Sequence, residues 1–513
     1  MKNRLAIRIS TGAMIVLGVQ VAEAQEKPNI ILFLVDDMGW QDTSVPFWTE
    51  RTVLNDTYRT PHMERLAAKG VKFTQAYACP VSSPSRVSLM TGANVAQHQV
   101  SNWTLYKDKG TDKPHKLLTF GEWNYNGLSP VQDYPHAFYA KCLPLLLKEN
   151  GYRSCIIGKA HLGAIDTPAA DPLTIGFDYN IGGHAAGAMG SYLGENNYGN
   201  KEAGTWTKPW GVPSLEAYHG SDIFLTEVLT REGCKFMEKS VADKQPFFLY
   251  MSHYAVHAPF VADKRFYQYY IDKGLSEKEA QYASLVEGMD HSLGALMDCL
   301  ERAGVAENTI ILFMSDNGGY SVGRGGEAAQ RNYPLRGGKG ACFEGGIREP
   351  MIAYWPGITR PGTENATPVI IEDFFPTILE MGEVKEHQTP QRIDGVSFVK
   401  ALKKGKTLTK ERPLYFHYPN NWGEQREDVG LPQSAIRKGD WKLIHYYETG
   451  INELYNLKED ISEKNNLIKD KRYAKKGASL AKELSNYLKK NKANLPYFKE
   501  TGLSVPYPDG TIN

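Results

Sequence analysis

The hydrophobic pattern switches between short unbroken apolar runs and longer stretches with helical spacing. Residues 30–35 are continuously apolar and stop at Asp36-Asp37. Residues 247–251 stop shortly before His253 and His257, and residues 309–314 stop at Ser315-Asp316-Asn317. Residues 153–157 form a further strand pattern, with Gly158-Lys159-Ala160-His161-Leu162-Gly163 at its tip. An unbroken run bounded by turn signals reads as a strand buried on both faces, the habit of a parallel sheet. Four such strands with polar tips put chemically capable side chains along one sheet edge, where open α/β sheets bind ligands. Residues 63–69, 143–148, 224–238 and 280–303 read as helices, and Gly70 and Gly304 close the first and last. Short strands are expected at 71–74 and 351–355. The expected fold class is α/β, with a large, mixed, mostly parallel sheet sandwiched by helices.

Near residue 408 the pattern changes. Lys-rich segments and short alternating strands at 434–437, 441–446 and 453–456 predict an antiparallel sheet with one solvated face, followed by a helix over 473–490. The expected organisation is a catalytic domain over 25–408 and a smaller α+β C-terminal subdomain over 409–513. The stretch 176–211 is Gly-rich and lacks periodicity, as functional loops often do.

At the other end, Lys2, Arg4 and Arg8 precede an apolar run over 9–21 and the small-residue site Ala22-Glu23-Ala24. This predicts a signal peptide over 1–24, cleaved near Ala24, and export to a bacterial periplasm. The run is shorter than the roughly 20 residues of a spanning helix. The 513 residues suffice for two domains, and a net charge of +1 gives no pull toward nucleic acid or a membrane surface. Six cysteines without CxxC spacing argue against a zinc site and a disulfide-dense scaffold.

The chemistry centres on Ser82-Ser83-Pro84-Ser85-Arg86, followed by Thr91-Gly92. Pro84 suits the first turn of a helix, so Ser82 falls at a helix N-terminus, where backbone N–H groups favour an anion. Arg86 lies one turn further and can reach back toward Ser82. Asp36, Asp37, Asp316 and Asn317 offer three carboxylates and an amide oxygen, hard ligands that suit calcium or magnesium. Adjacent buried carboxylates repel unless a cation lies between them.

The Ser82 stretch resembles the signature of the type I sulfatases, a formylglycine-dependent family of the alkaline phosphatase superfamily. Met90 stands where a Leu is usual, and Cys79, followed by Pro80-Val81-Ser82, does not fit the pattern. Asp36-Asp37-Met38-Gly39 and Asp316-Asn317-Gly318 look like the family's metal motifs. Gly-Lys-Ala-His-Leu-Gly (with Ala160 for the usual Trp), His257-Ala258-Pro259 and the segment around Lys339 look like its sulfate-binding motifs. The resemblance implies an alkaline-phosphatase-like fold and one calcium held by Asp36, Asp37, Asp316, Asn317 and the converted Ser82. It implies catalytic roles for Ser82, Arg86, Lys159, His161, His257 and Lys339. Ser82 would be oxidised to formylglycine by a serine-oxidising maturase, and hydrated to a geminal diol that attacks sulfur. A zinc phosphatase of the superfamily would carry His where Asn317 stands. Residues 90–105 look like exported carbohydrate sulfatases of gut-type bacteria, which favours galactose or N-acetylgalactosamine sulfate as the sulfated saccharide substrate. His98, Asn102-Trp103, the loop near His184 and residues 417–422 are candidate specificity segments. The alternatives are a phosphodiesterase or phosphonate monoester hydrolase on the same scaffold, and a non-catalytic sulfated-glycan binding protein.

Overall fold

The strand Asn29–Val35 (β1) is buried along its whole length and lies near the middle of a nine-stranded sheet. The computed structural model describes residues 27–200, 209–320, 331–404, 411–422 and 430–512; the expected signal peptide and the expected boundary at 408/409 lie outside them. Seven further strands complete the path of the sheet. They are β2 (Val71–Tyr77), β3 (Arg153–Gly158), β4 (Tyr179–Ile181), β5 (Phe247–Ser252), β6 (Thr309–Ser315), β7 (Arg348–Tyr354) and β8 (Thr363–Asn365). The spatial order is β8-β2-β7-β6-β1-β5-β3-β4, and Val369–Ile370 adds a short piece beside β2. β1 runs parallel to β5 and β6, and β3 runs parallel to β4 and β5. Among the described strands of this sheet, only β7 opposes its neighbours, antiparallel to β2 and β6. The sheet is therefore mixed and mostly parallel, as the apolar runs predict.

Alternation along β1 divides the core. Ile30, Leu32 and Leu34 enter one apolar cluster, and Ile31, Phe33 and Val35 enter the other. The second cluster holds the helices α1 (Pro61–Lys69), α3 (Leu225–Ala242) and α4 (Glu277–Arg302) through Met63, Leu66, Val228, Leu285 and Met289. The first holds α2 (Ser82–Thr91) through Val87, Leu89 and Met90. β2 extends past residue 74 to Tyr77, and the chain turns from there into α2.

The C-terminal sheet has four antiparallel strands, Leu414–Tyr418, Gln433–Lys438, Trp441–Tyr446 and Asn452–Asn456. It does not have the solvated face expected of it. Phe416, Tyr418, Ala435 and Ile444 pack into the main core, while Ile436, Leu443 and Leu454 meet Leu480, Ala481, Leu484 and Leu488. Those four residues form one face of the helix Ala474–Lys490 (α5), whose spacing of four puts an apolar stripe over the sheet. Among the described residues, no helix is long and apolar enough to cross a membrane.

Candidate active site

α2 starts at Ser82, every one of its residues is buried, and Gly92 ends it at φ 68°. No serine caps it in the ordinary way. Ser85 Oγ instead accepts from the Cys79 N–H at 3.0 Å, which ties down the turn before the helix. Ser82 thereby stands beside the tips of β1 and β6. Its Oγ lies 3.2 Å from Asp36 Oδ1 and 3.1 Å from Asn317 Oδ1, and accepts from Lys159 Nζ at 3.0 Å.

The strand tips bring together residues far apart in sequence. Asp36, Asp37 and Asp316 place carboxylate oxygens within 4.8 Å of one another, all buried. Asn317 Nδ2 donates to Asp37 Oδ1 at 2.8 Å, which turns its amide oxygen toward Ser82. Lys159 Nζ donates to Asp36 Oδ2 at 2.7 Å, and Lys339 Nζ to Asp37 Oδ2 at 2.8 Å. Arg86 grips Asp316 Oδ2 through Nε at 3.0 Å and Nη2 at 2.8 Å, while Nη1 donates to the Lys159 carbonyl and Ser252 Oγ. Arg86 reaches Ser82 only indirectly, since Nη2 is 3.8 Å from Asp36 Oδ1.

Three carboxylates therefore face three cations, all of them buried. Such charges persist only when paired. Burial pushes Asp36 up to about 7 against the pull of Lys159, with Asp316 and Asp37 adding to the rise. Burial pushes Lys159 down to about 8, with Asp36 opposing. Burial also works to raise Asp37 and Asp316, but Lys339 and His257 outweigh it at Asp37, and Arg86 and Lys159 at Asp316, leaving both low. All four candidate donors are oxygens, the chemistry of a hard divalent cation, and two lysines occupy carboxylate oxygens that such a cation would use. With that cation added, the balanced cluster would be net positive and suited to an anion.

Two histidines complete the floor. His161, at φ 53°, has Nε2 at 3.0 Å from the Thr104 carbonyl, so Nε2 carries the proton and Nδ1, which is buried without a partner, offers a lone pair. Burial, then Lys159 and Arg86, push His161 well below its usual range and keep it neutral. His257 Nδ1 donates to the Ala258 carbonyl at 2.6 Å, and its Nε2 is 3.7 Å from Asp37 Oδ2. Burial, then Lys339, push it down to about 3. Asp37 also holds a positive φ, 63°. Left-handed backbone at non-glycine residues costs about 1–3 kcal/mol and clusters at functional sites.

Above this floor is a cavity of 180 Å³, lined by Ser82, Lys159, His161, His257 and Lys339, and by Trp103, Trp210 and Trp422. Trp103 and Trp422 belong to the expected specificity segments; Trp210, in the Gly-rich stretch, has no motif around it. The expected histidines fall elsewhere. His98 is buried with Nε2 on Ser88 Oγ, and His417 is buried between Ser434 Oγ and the Asn494 carbonyl. His184 supports the site through its backbone, its carbonyl accepting from the His161 N–H at 3.1 Å.

Comparison with known proteins agrees with this geometry. The profile of the Sulfatase family matches residues 28–384, and that of the N-sulphoglucosamine sulphohydrolase C-terminal region matches 338–491. A sulfatase of Formosa agariphila is 29% identical, with 95% of this chain and 93% of that protein covered. The N-acetylgalactosamine-6-sulfatase of Mus musculus is 30% identical over 79% of this chain and 71% of its own. The crystal structure of Ps i-CgsB in complex with k-i-k-neocarrahexaose superposes with a TM-score of 0.71 at 28% identity, covering 91% of this chain and 93% of that one. The chain belongs to the sulfatase family and is a sulfuric ester hydrolase.

Proposed function

We propose that this enzyme removes sulfate from a sulfated carbohydrate, with galactose or N-acetylgalactosamine sulfate favoured, through a formylglycine made from Ser82. The observation that carries the reading is the convergence of Ser82 with three carboxylates, two lysines and two histidines beneath one cavity. The sugar class is supported by the printed names of the relatives and by the tryptophans around that cavity. Calcium is the proposed metal, held by Asp36, Asp37, Asp316, Asn317 and the converted Ser82. Bound there, it would supply positive charge that neutralises the sulfate and eases ionisation of a nearby hydroxyl.

A maturase first oxidises the Ser82 alcohol to the aldehyde, removing two hydrogens, and water adds to give a geminal diol. Lys159 and Lys339 hold the sulfate oxygens, where preorganised charge acts most strongly in the transition state. Arg86 keeps Asp316 and the Lys159 backbone in place. One diol hydroxyl gives its proton to the Asp36 carboxylate, whose Oδ1 lies 3.2 Å from Ser82 Oγ, and forms a bond to sulfur as the bond from sulfur to the sugar oxygen breaks. His257 gives that oxygen a proton, which requires a second proton on Nε2; the anionic substrate beside it favours this uptake. His161 Nδ1 then takes the proton of the second hydroxyl, the C–O bond to sulfate breaks, and the aldehyde returns. An unconverted serine would stall as its sulfate ester, lacking that second hydroxyl.

The domain division 25–408 and 409–513, the signal peptide over 1–24 and periplasmic export remain part of the proposal. The test is a paired assay of sulfate and phosphate esters on the parent and Ser82→Ala proteins. Sulfate release that falls about 10⁴-fold in the variant supports the reading. Full turnover in the variant, or a preference for phosphate esters, would sink it.

A further inference from the structure

His257, the proposed general acid, has its ring held by its own neighbour. Among the described residues, the ring's one hydrogen bond runs from Nδ1 to the Ala258 carbonyl. Nε2 therefore goes wherever the backbone at 257–258 goes. That backbone closes a turn after β5, in which the His257 N–H donates to the Tyr254 carbonyl at 2.9 Å. The middle of the turn is tied to the carboxylate cluster. The Asp36 N–H donates to the Ala255 carbonyl at 2.9 Å, and the Val256 N–H donates to the Asp36 carbonyl at 2.7 Å. The end of the turn is held from a different part of the chain. Tyr192 is fully buried, and its O–H is shared between the Tyr254 and His257 carbonyls, 2.9 Å from each. Among the described residues, no other donor reaches the His257 carbonyl.

Tyr192 is itself fixed. It belongs to the Gly-rich stretch 176–211, where the Gly190 N–H donates to the Trp210 carbonyl at 2.7 Å and the Leu225 N–H donates to the Tyr192 carbonyl at 2.8 Å. Its ring stacks on Phe224, with centroids 5.1 Å apart and planes 6° apart. General acid catalysis needs Nε2 within hydrogen-bond reach of the leaving oxygen, and a displacement of about 1 Å can cost about 10²-fold in rate. Resting on the assignment of His257 as general acid above, we propose that Tyr192 is a positioning residue for that proton transfer: its O–H fixes the His257 backbone and so aims Nε2 at the sugar oxygen. The proton moves from Nε2 to that oxygen as the bond to sulfur breaks, and Tyr192 gives up none of its own.

The test compares two esters on Ser82-converted enzyme. One is the better of galactose 6-sulfate and N-acetylgalactosamine 6-sulfate, whose alcohol needs a proton to leave. The other is 4-nitrophenyl sulfate, whose phenolate leaves without one. Tyr192→Phe keeps the ring on Phe224 and deletes only the O–H. It should lower kcat/KM at least about 10-fold for the sugar ester and no more than about twofold for the aryl ester. The ratio of the two values does not depend on how much of the variant folds, and an unchanged ratio overturns the proposal. His257→Ala should shift the ratio in the same direction, and Tyr192→Phe added to it should shift it no further. A further shift overturns the proposal, because Tyr192 would then act by another route. If His257→Ala leaves the ratio unchanged, the general-acid assignment falls and the proposal with it. A parent that releases sulfate from neither ester would instead strike at the sulfatase reading itself.

Discussion

At the scale of single residues, the site is a set of charges that tolerate burial because each has a fixed partner. Lys339 holds Asp37 and faces the cavity, so Lys339→Ala should lower kcat/KM about 10²–10³-fold with the fold retained. A rate within a factor of two of the parent would exclude a direct part in transfer. Gly187→Ala is a subtler test. The added carbon would displace the His161 ring, so kcat should fall at least about 10-fold, while binding of inorganic sulfate changes little. Equal loss of sulfate binding would place the damage on the floor as a whole. Ser82, Asp36 and Lys159 were legible because short motifs with glycines and prolines fix local backbone. Trp210 was not, because its place depends on a fold-back of the Gly-rich stretch onto Gly190. His98 and His417 misled because a histidine in a motif-rich segment looks functional until its hydrogen bonds are counted.

At the scale of elements, the strand tips do the positioning, and the C-terminal sheet reinforces one of them. The segment after Lys339 carries Glu344, buried beneath that sheet. Lys442 Nζ donates to Glu344 Oε1 at 3.0 Å and lies 2.7 Å from Glu463 Oε1, and Glu463 Oε2 accepts from the Glu344 N–H at 2.7 Å. Burial acts to raise Glu344, but Lys442, Arg348 and Arg437 outweigh it and hold it at about 2. Burial pushes Glu463 up to about 7 against Lys442. The signs of linkage follow. Glu344, lower in the folded chain, contributes stability that is present above about pH 4.5 and lost as the pH falls toward 2. Glu463, higher in the folded chain, contributes stability that is present below about 4.5 and lost as the pH rises toward 7. Melting temperatures across this range should show that Glu344→Gln flattens the acid limb and Glu463→Gln flattens the fall between about 4.5 and 7. Parallel profiles in parent and variants would contradict the assignment. Continuous apolar runs made the central strands readable. The covered outer face of the small sheet was not readable, because the stripe on α5 announces a partner without naming it.

At the scale of the whole molecule, two halves of the chain serve one site. The catalytic sheet supplies the carboxylates and cations, and the C-terminal region adds Trp422 to the cavity and pairs Lys442 with Glu344, five residues after Lys339. Without a divalent cation the three carboxylates are balanced by Arg86, Lys159 and Lys339; with it the site is primed for an anion. Chelation should therefore abolish sulfate release, and calcium at about 100 times its Kd should restore it and add roughly 2.7 kcal/mol of stability. Undiminished turnover after exhaustive chelation would remove the metal from the account.

The central claim is that Ser82 acts only after oxidation, and its most direct test joins mass to rate. Protein preparations with graded maturase exposure would be digested, and the fraction of the Ser82 peptide lighter by about two mass units measured beside sulfate release. The account predicts turnover proportional to the converted fraction, with none at zero conversion. Full turnover from protein whose Ser82 peptide is entirely unconverted would contradict it.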